Sequence, residues 1–270
     1  MRPRFLDLAL HLARISLSAL ALALAAHTDS SLLGAGASIA LFFASFALMH
    51  DVAHGALRLP RRANEILLAA SGSLMLMSGH ALRVMHLRHH ARPLAPDDLE
   101  GSPARLSLVR AALTAPAASI ALRLEALRSA GSRGRRVQIA ESLGNAAALA
   151  LLLASRNPAL VAAAATAIAL QLSMGVWAAH IPHNAPPWLL AAARRAAFTR
   201  SPIALSLAFH ELHHRRPTVP CGRLAAARSI PPIPRARDEA NAEADGGSGV
   251  IGPSSGIAAM PPGSTALRPP

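Results

Sequence analysis

The chain has 270 residues, room for one or two domains, and 52% of them are hydrophobic with a mean hydropathy of +0.34, which places it among integral membrane proteins. Its formal net charge of +13 comes from arginine alone, because lysine is absent. The arginines flank apolar segments, a pattern that fits the positive-inside rule and anionic lipid headgroups and argues against nucleic acid as a partner. The single cysteine, Cys221, excludes an internal disulfide.

In chain order, the first apolar stretch runs from Leu8 to Ala26. It reads as a retained anchor and not a cleaved signal peptide, because His11 and Arg14 interrupt its core and a second stretch, Leu32 to Met49, comes directly after it. The stretch from Ile66 to Gly79 is too short for a span of about 20 residues and reads as a re-entrant or interfacial helix. Between Pro103 and Arg128 the chain is apolar but studded with Arg105, Arg110, Arg123 and Glu125, as expected of an amphipathic helix lying on the membrane. Spans are expected from Ile139 to Ala154 and from Ala159 to Ala179. A buried charge at Glu141 would cost about 2.5–3.5 kcal/mol, so that residue is expected near the interface. Trp188 to Phe209, with Arg194, Arg195 and Arg200, reads as a second surface helix. From about Ile230 onward proline, glycine, serine and alanine dominate, the composition of a disordered tail.

The expected fold is therefore all-α and integral to the membrane: four transmembrane helices in two hairpins, with interfacial helices and a cytoplasmic cap. The membrane domain is expected over residues 1–228 and the tail over 229–270. The hairpin connections, His27 to Ser31 and Ser155 to Pro158, carry only Arg156 between them. Nearly all other arginines then fall on the opposite, cytoplasmic face.

Three histidine clusters lie at the ends of apolar segments on that face: His50-x-x-x-His54, His86-x-x-His89-His90 and His210-x-x-His213-His214, together eight of the thirteen histidines. On a helix, residues three and four apart share a face, so each cluster can aim its rings at one point. Imidazole suits iron, zinc or copper, and eight or more rings exceed the four ligands usual for one zinc. Two metal ions fit the count. The clusters can meet only if the Ile66 stretch does not cross, so the topology and the metal reading support each other. His11, His27 and His80 lack this spacing and read as structural, as does Cys221.

These residues carry a resemblance to the membrane fatty-acid desaturase superfamily, which includes carotenoid hydroxylases and ketolases. His50-Asp51-Val52-Ala53-His54-Gly55 is similar to its HDxxHG box. His86-Leu87-Arg88-His89-His90 is similar to its HxxHH box, with Pro96-Asp97-Asp98 resembling the acidic stretch that comes after it. His210-Glu211-Leu212-His213-His214, continuing into Pro217-Thr218-Val219-Pro220 and Leu224, resembles the third box and its tail. The resemblance covers about residues 40 to 225. It implies that His50, His54, His86, His89, His90, His210, His213 and His214 bind two iron ions, with dioxygen as co-substrate and a lipid, either a fatty acyl chain or a carotenoid, as substrate. A further ligand is implied after the last span. His180 is nearer the span end, whereas Ile181-Pro182-His183 resembles a Leu-Pro-His of ketolases, so both are candidates. Asn184 is a candidate water-mediated partner of the metals, and Asp51 is expected to orient a ligand histidine. Cys221-Gly222 departs from the family, which often has tryptophan or tyrosine there. Electrons are expected from a separate ferredoxin or cytochrome.

Two other classes compete. His210-Glu211-x-x-His214 also satisfies HExxH, the zinc metalloprotease motif with glutamate as base, but that reading leaves His50, His54, His86, His89 and His90 idle. A histidine-rich metal transporter would place its site near the membrane midplane, whereas these clusters stand at span ends. The reading favoured by the sequence is a di-iron lipid desaturase in the cell (inner) membrane with its site on the cytoplasmic side. Carotenoid hydroxylation or ketolation is the alternative.

Overall fold

The structure is a computed structural model and describes residues 4–228. The expected tail over 229–270 lies outside the described residues. Every regular element among the described residues is helical. Helices α1 (Phe5–His27) and α2 (Ser31–Ala53) form the first hairpin, and each is long and apolar enough to cross a membrane. The Ser30 hydroxyl caps α2 by accepting from the Leu33 N–H. Most of α1 is not covered by protein: Leu17, Leu20 and Leu24 are exposed. An apolar helix with an uncovered apolar face fits lipid as its surroundings.

The next two helices, α3 (Arg61–Leu74) and α4 (Gly79–Ala91), are bent by 104° at the break between them. The pair leaves the C-terminal end of α2 and comes back to it, since the His54 ring near the end of α2 meets the His86 ring of α4. The Ile66 stretch, expected to be re-entrant or interfacial, is thus one arm of a sharply bent helix pair. The bend is fixed by side chains. The Gln171 amide donates to the Met75 and Leu76 carbonyls (2.7 and 3.2 Å) and accepts from Arg123. Leu76 adopts a positive φ of 56°. Gly79 lets the two arms close up: a Cβ there would stand 2.1 Å from the Leu68 carbonyl oxygen.

Helix α5 (Leu108–Ser129) exposes Val109, Leu113, Ile120 and Leu124, a stripe at helical spacing, in line with the surface helix expected there. The second hairpin joins α6 (Ser132–Ala154), which is long and apolar enough for a span, to α7 (Pro158–Leu172). Asn157 caps α7 and its amide also donates to Ala26 O and Asp29 Oδ1, tying the two hairpin turns together. Helix α7 packs on α2 closely enough that a Cβ on Gly34 would lie 2.3 Å from the Ala159 carbonyl oxygen. Three helices thus qualify as spans unbroken, and up to five if each bent pair counts as one.

Glu141, expected near an interface, is neutralised where it sits. It accepts from the Ser78 hydroxyl at 2.5 Å and from His80 Nδ1 at 2.6 Å, and His80 Nε2 reaches Glu65 at 2.8 Å. Arg83 completes the set by pairing with Glu65. His80 therefore has a structural role, joining α3, α4 and α6.

After α7 the chain winds into a π-helical segment, Gly175–His180, and then into the short α8 (Ile181–Asn184), with a 48° bend. Local widening of this kind re-aims the side chains beyond it. Trp177 holds the segment to α2: its ring lies edge-on to Phe43 and Phe46 at 5.1 and 4.9 Å, and its indole N–H donates to Leu170 O. The surface stretch after α8 is divided into α9 (Pro187–Arg195) and α10 (Pro202–Ala208), where one helix was expected. A 3-10 turn and Arg200, at a φ of 50°, separate them, and Pro202 starts the second. Helix α11 (His210–Arg215) carries the third histidine cluster, and α12 (Leu224–Ala227) ends the described chain.

Candidate metal centre

Nine imidazoles converge where α2, α4, α8 and α11 end. They form two groups, each with its ligand nitrogens within 4.8 Å of one another: His50, His54, His86, His90 and His213 in one, and His89, His183, His210 and His214 in the other. The three clusters do not each make a site. On α4, His86 and His90 are one turn apart and face the first group, while His89 faces the second. On α11, His213 faces the first and His210 with His214 the second.

Inside the groups the Nε2 atoms stand close: His54 to His86 at 2.9 Å and His213 to His90 at 3.0 Å in the first, and His89–His183–His210–His214 as a chain at 3.3, 3.2 and 3.1 Å in the second. A hydrogen-bonded network is a poor account of this chain, because a ring nitrogen has one in-plane position for a proton or a lone pair and His183 and His210 would each need two partners. Nitrogens at about 2.0–2.1 Å from a common cation are spaced about 3.0–3.4 Å apart, from the usual metal–imidazole distance. The nitrogen spacing fits metal ions.

The outer nitrogens support the same conclusion. His86 Nδ1–H donates to Glu100 at 2.6 Å and His89 Nδ1–H to Asp98 at 2.7 Å. A proton held on Nδ1 leaves Nε2 with a bare lone pair directed inward, the carboxylate–histidine arrangement of metal sites. Asp98 is itself oriented by the Leu94 and Gly101 N–H groups. Burial would raise its pKa, but the hydrogen bonds from His89 and from those backbone groups bring it down to about 2. Glu100 goes the other way: burial, with the Asp98 charge adding and His89 opposing, pushes it up to about 7. Burial and then the neighbouring rings hold His210 down to about 2 and His214 to about 3, so both are neutral at pH 7 and able to bind metal.

All eight histidines of the three clusters lie in one group or the other. His183 joins the second group and His180 joins neither: its Nδ1 lies 3.1 Å from the Pro103 carbonyl oxygen. Asn184 donates to the Ala104 and His180 carbonyls, so its amide holds the chain around the site. Asp51 makes its hydrogen bonds with His11 (3.0 Å) and the Cys221 N–H (3.0 Å), with His50 Nδ1 at 3.8 Å. Its direct partners are thus α1 and the segment after the third cluster. Glu211, the candidate base of the HExxH reading, is 81% exposed and paired with Arg215, so no carboxylate stands where that motif needs one. Glu100, Cys221 and His11 had no site role in the sequence pattern, and Asp98 only a place in an acidic stretch. The question that finds the two carboxylates is where the outer nitrogens of His86 and His89 send their protons.

A family described as fatty acid desaturase matches residues 30–240, which is most of the chain. No curated protein and no solved structure matches.

Proposed function

Because the chain belongs to the fatty acid desaturase family, we propose that it is a membrane-bound, oxygen-dependent di-iron desaturase that introduces a double bond into a fatty acyl chain. The family is one of oxidoreductases acting on lipids and is known for di-iron sites. The observation that carries the reading to this chain is the convergence of nine imidazoles into a group of five and a group of four.

Two irons held there would supply activation of dioxygen and removal of hydrogen from an unactivated C–H bond. His50, His54, His86, His90 and His213 would hold one, and His89, His183, His210 and His214 the other. Glu100 and Asp98 keep the protons of His86 and His89 on their outer nitrogens and fix those rings. Phe46 and Trp177 build an apolar wall beside His50, which limits water near the reacting carbon. The protein's share is to hold that carbon in register with the metals. Arginine crowding at the histidine end of the helices favours a site on the cytoplasmic side of the cell membrane. The electron donor is a separate ferredoxin or cytochrome.

The test is lipid and pigment profiling of cells expressing the chain, with and without β-carotene, beside a His213→Ala control. New unsaturated acyl chains that vanish in the control are expected. Oxygenated carotenoids with unchanged acyl chains would replace desaturation by hydroxylation or ketolation and leave the metal centre intact. Protein that takes up zinc in preference to iron and leaves both lipids untouched would overturn the reading.

A further inference from the structure

The outer nitrogens of the first histidine group are not treated alike. His86 gives its Nδ1 proton to a carboxylate. His90 and His213 have buried Nδ1 atoms with no partner among the described residues. His50 faces sulfur: Cys221 Sγ lies 3.2 Å from His50 Nδ1, and the cysteine is 1% exposed. With Nδ1 turned to the sulfur, Nε2 is the nitrogen left for the group; a neutral ring that binds through Nε2 carries its proton on Nδ1, and the thiol sulfur is the acceptor facing it.

A backbone hydrogen bond helps to set the position of that sulfur. Cys221 opens a short 3-10 turn after Pro220, and its N–H donates to Asp51 Oδ1 at 3.0 Å. Asp51 is 1% exposed and anchored on its other oxygen by His11 of α1. The carboxylate next to His50 in sequence stands 3.8 Å from His50 Nδ1, farther than the sulfur at 3.2 Å. It pins the turn that brings a thiol to His50.

We propose that Cys221 is a positioning residue of the first histidine group, its sulfur accepting the Nδ1–H of His50 and thereby fixing the ring and the strength with which that group holds a metal ion. This rests on the metal-binding reading above. Sulfur is a weak, uncharged acceptor, so His50 is a less basic ligand than His86 or His89, whose partners are carboxylates. Partners of this outer kind change metal affinity by about 10–100-fold when removed.

Three full-length proteins in detergent test it: wild type, Cys221→Ser, which keeps an acceptor, and Cys221→Val, which keeps the bulk and loses it. Each is loaded with 57Fe2+, titrated with a chelator, and examined by metal analysis and Mössbauer spectroscopy. The wild type is expected to hold two irons. The valine protein is expected to release one of them at a chelator concentration about 10–100-fold lower, with the signal of one iron changed and the other not. The serine protein is expected to retain both within a few-fold. Equal retention and equal spectra for wild type and valine overturn the proposal, as does serine behaving like valine, which would make the residue a packing element. Should the valine protein fail to fold, the serine protein decides: an oxygen acceptor must alter the signal of one iron, and an unchanged spectrum overturns the proposal. A wild type that takes up no Fe2+ overturns both this proposal and the metal-binding reading beneath it, whereas two irons insensitive to residue 221 overturn only this one.

Discussion

The two histidine groups sit side by side but are built differently. The group of five draws only on the three sequence clusters, and four of its rings (His50, His54, His86 and His90) lie at the ends of long helices α2 and α4. The group of four has one ring from α4, two from the six-residue α11 and one, His183, from a four-residue helix just after a π-helical segment. In the first group His50, His86 and His213 are buried and His54 and His90 partly so, whereas in the second only His89 is buried and His183, His210 and His214 are half-buried. The first group is thus the more enclosed set of ligands. The second is the more open one.

Variants on the two sides test this contrast. The largest effect is expected from His213→Ala, since the ring is fully buried and its Nε2 faces His90 at 3.0 Å. Metal affinity of the first group should fall by more than about 100-fold, beyond the range for an outer partner, and desaturation should be lost. Iron content and product analysis check this. Next, His183→Ala should cost the second group its metal, while His180→Ala should leave two irons bound and remove only the contact with Pro103, worth about 0.5–1.5 kcal/mol. Metal analysis with thermal melting separates the two, and the reverse pattern would move the ligand assignment to His180.

Smaller effects are expected from the carboxylates. Asp98→Asn should weaken the second group and Glu100→Gln the first, each by about 10–100-fold, so that chelator titration of the two variants should remove different irons. The smallest effect concerns the metal-free protein. His210 and His214 are held at about 2 and about 3 in the fold, below the ordinary histidine value of about 6.5. Between those values the unfolded chain binds more protons than the folded one, so stability should fall as pH drops below about 6.5 and level off only near 2. Replacing both by glutamine should make the fall in melting temperature between pH 7 and 5 shallower, the other buried rings of the two groups keeping the remainder.

The eight cluster histidines were legible in the sequence because helical spacing of three and four residues is local and imidazole chemistry is residue-specific. The Ile66 stretch was legible from its length as too short for an unbroken span, re-entrant or interfacial, and its bend was not. The splitting of the second and third clusters between two groups was not legible, because it depends on how α4 and α11 are rotated against one another. The choice between His180 and His183 was equally closed to sequence, since both come after the same span and only the π-helical widening at Gly175–His180 turns one toward the group and the other toward Pro103.

The sequence alone determined an all-helical, lipid-facing chain of the desaturase family with ten metal-ligating candidates, because composition, helical period and the histidine motifs are local properties. Tertiary structure decided the rest. Asp98, Glu100, Asp51, His11 and Cys221 acquire their relations to the rings from contacts as far as 171 residues apart in the chain. A hydrogen bond needs its donor and acceptor within about 3 Å, and no local pattern of residues encodes which distant backbone will bring them there.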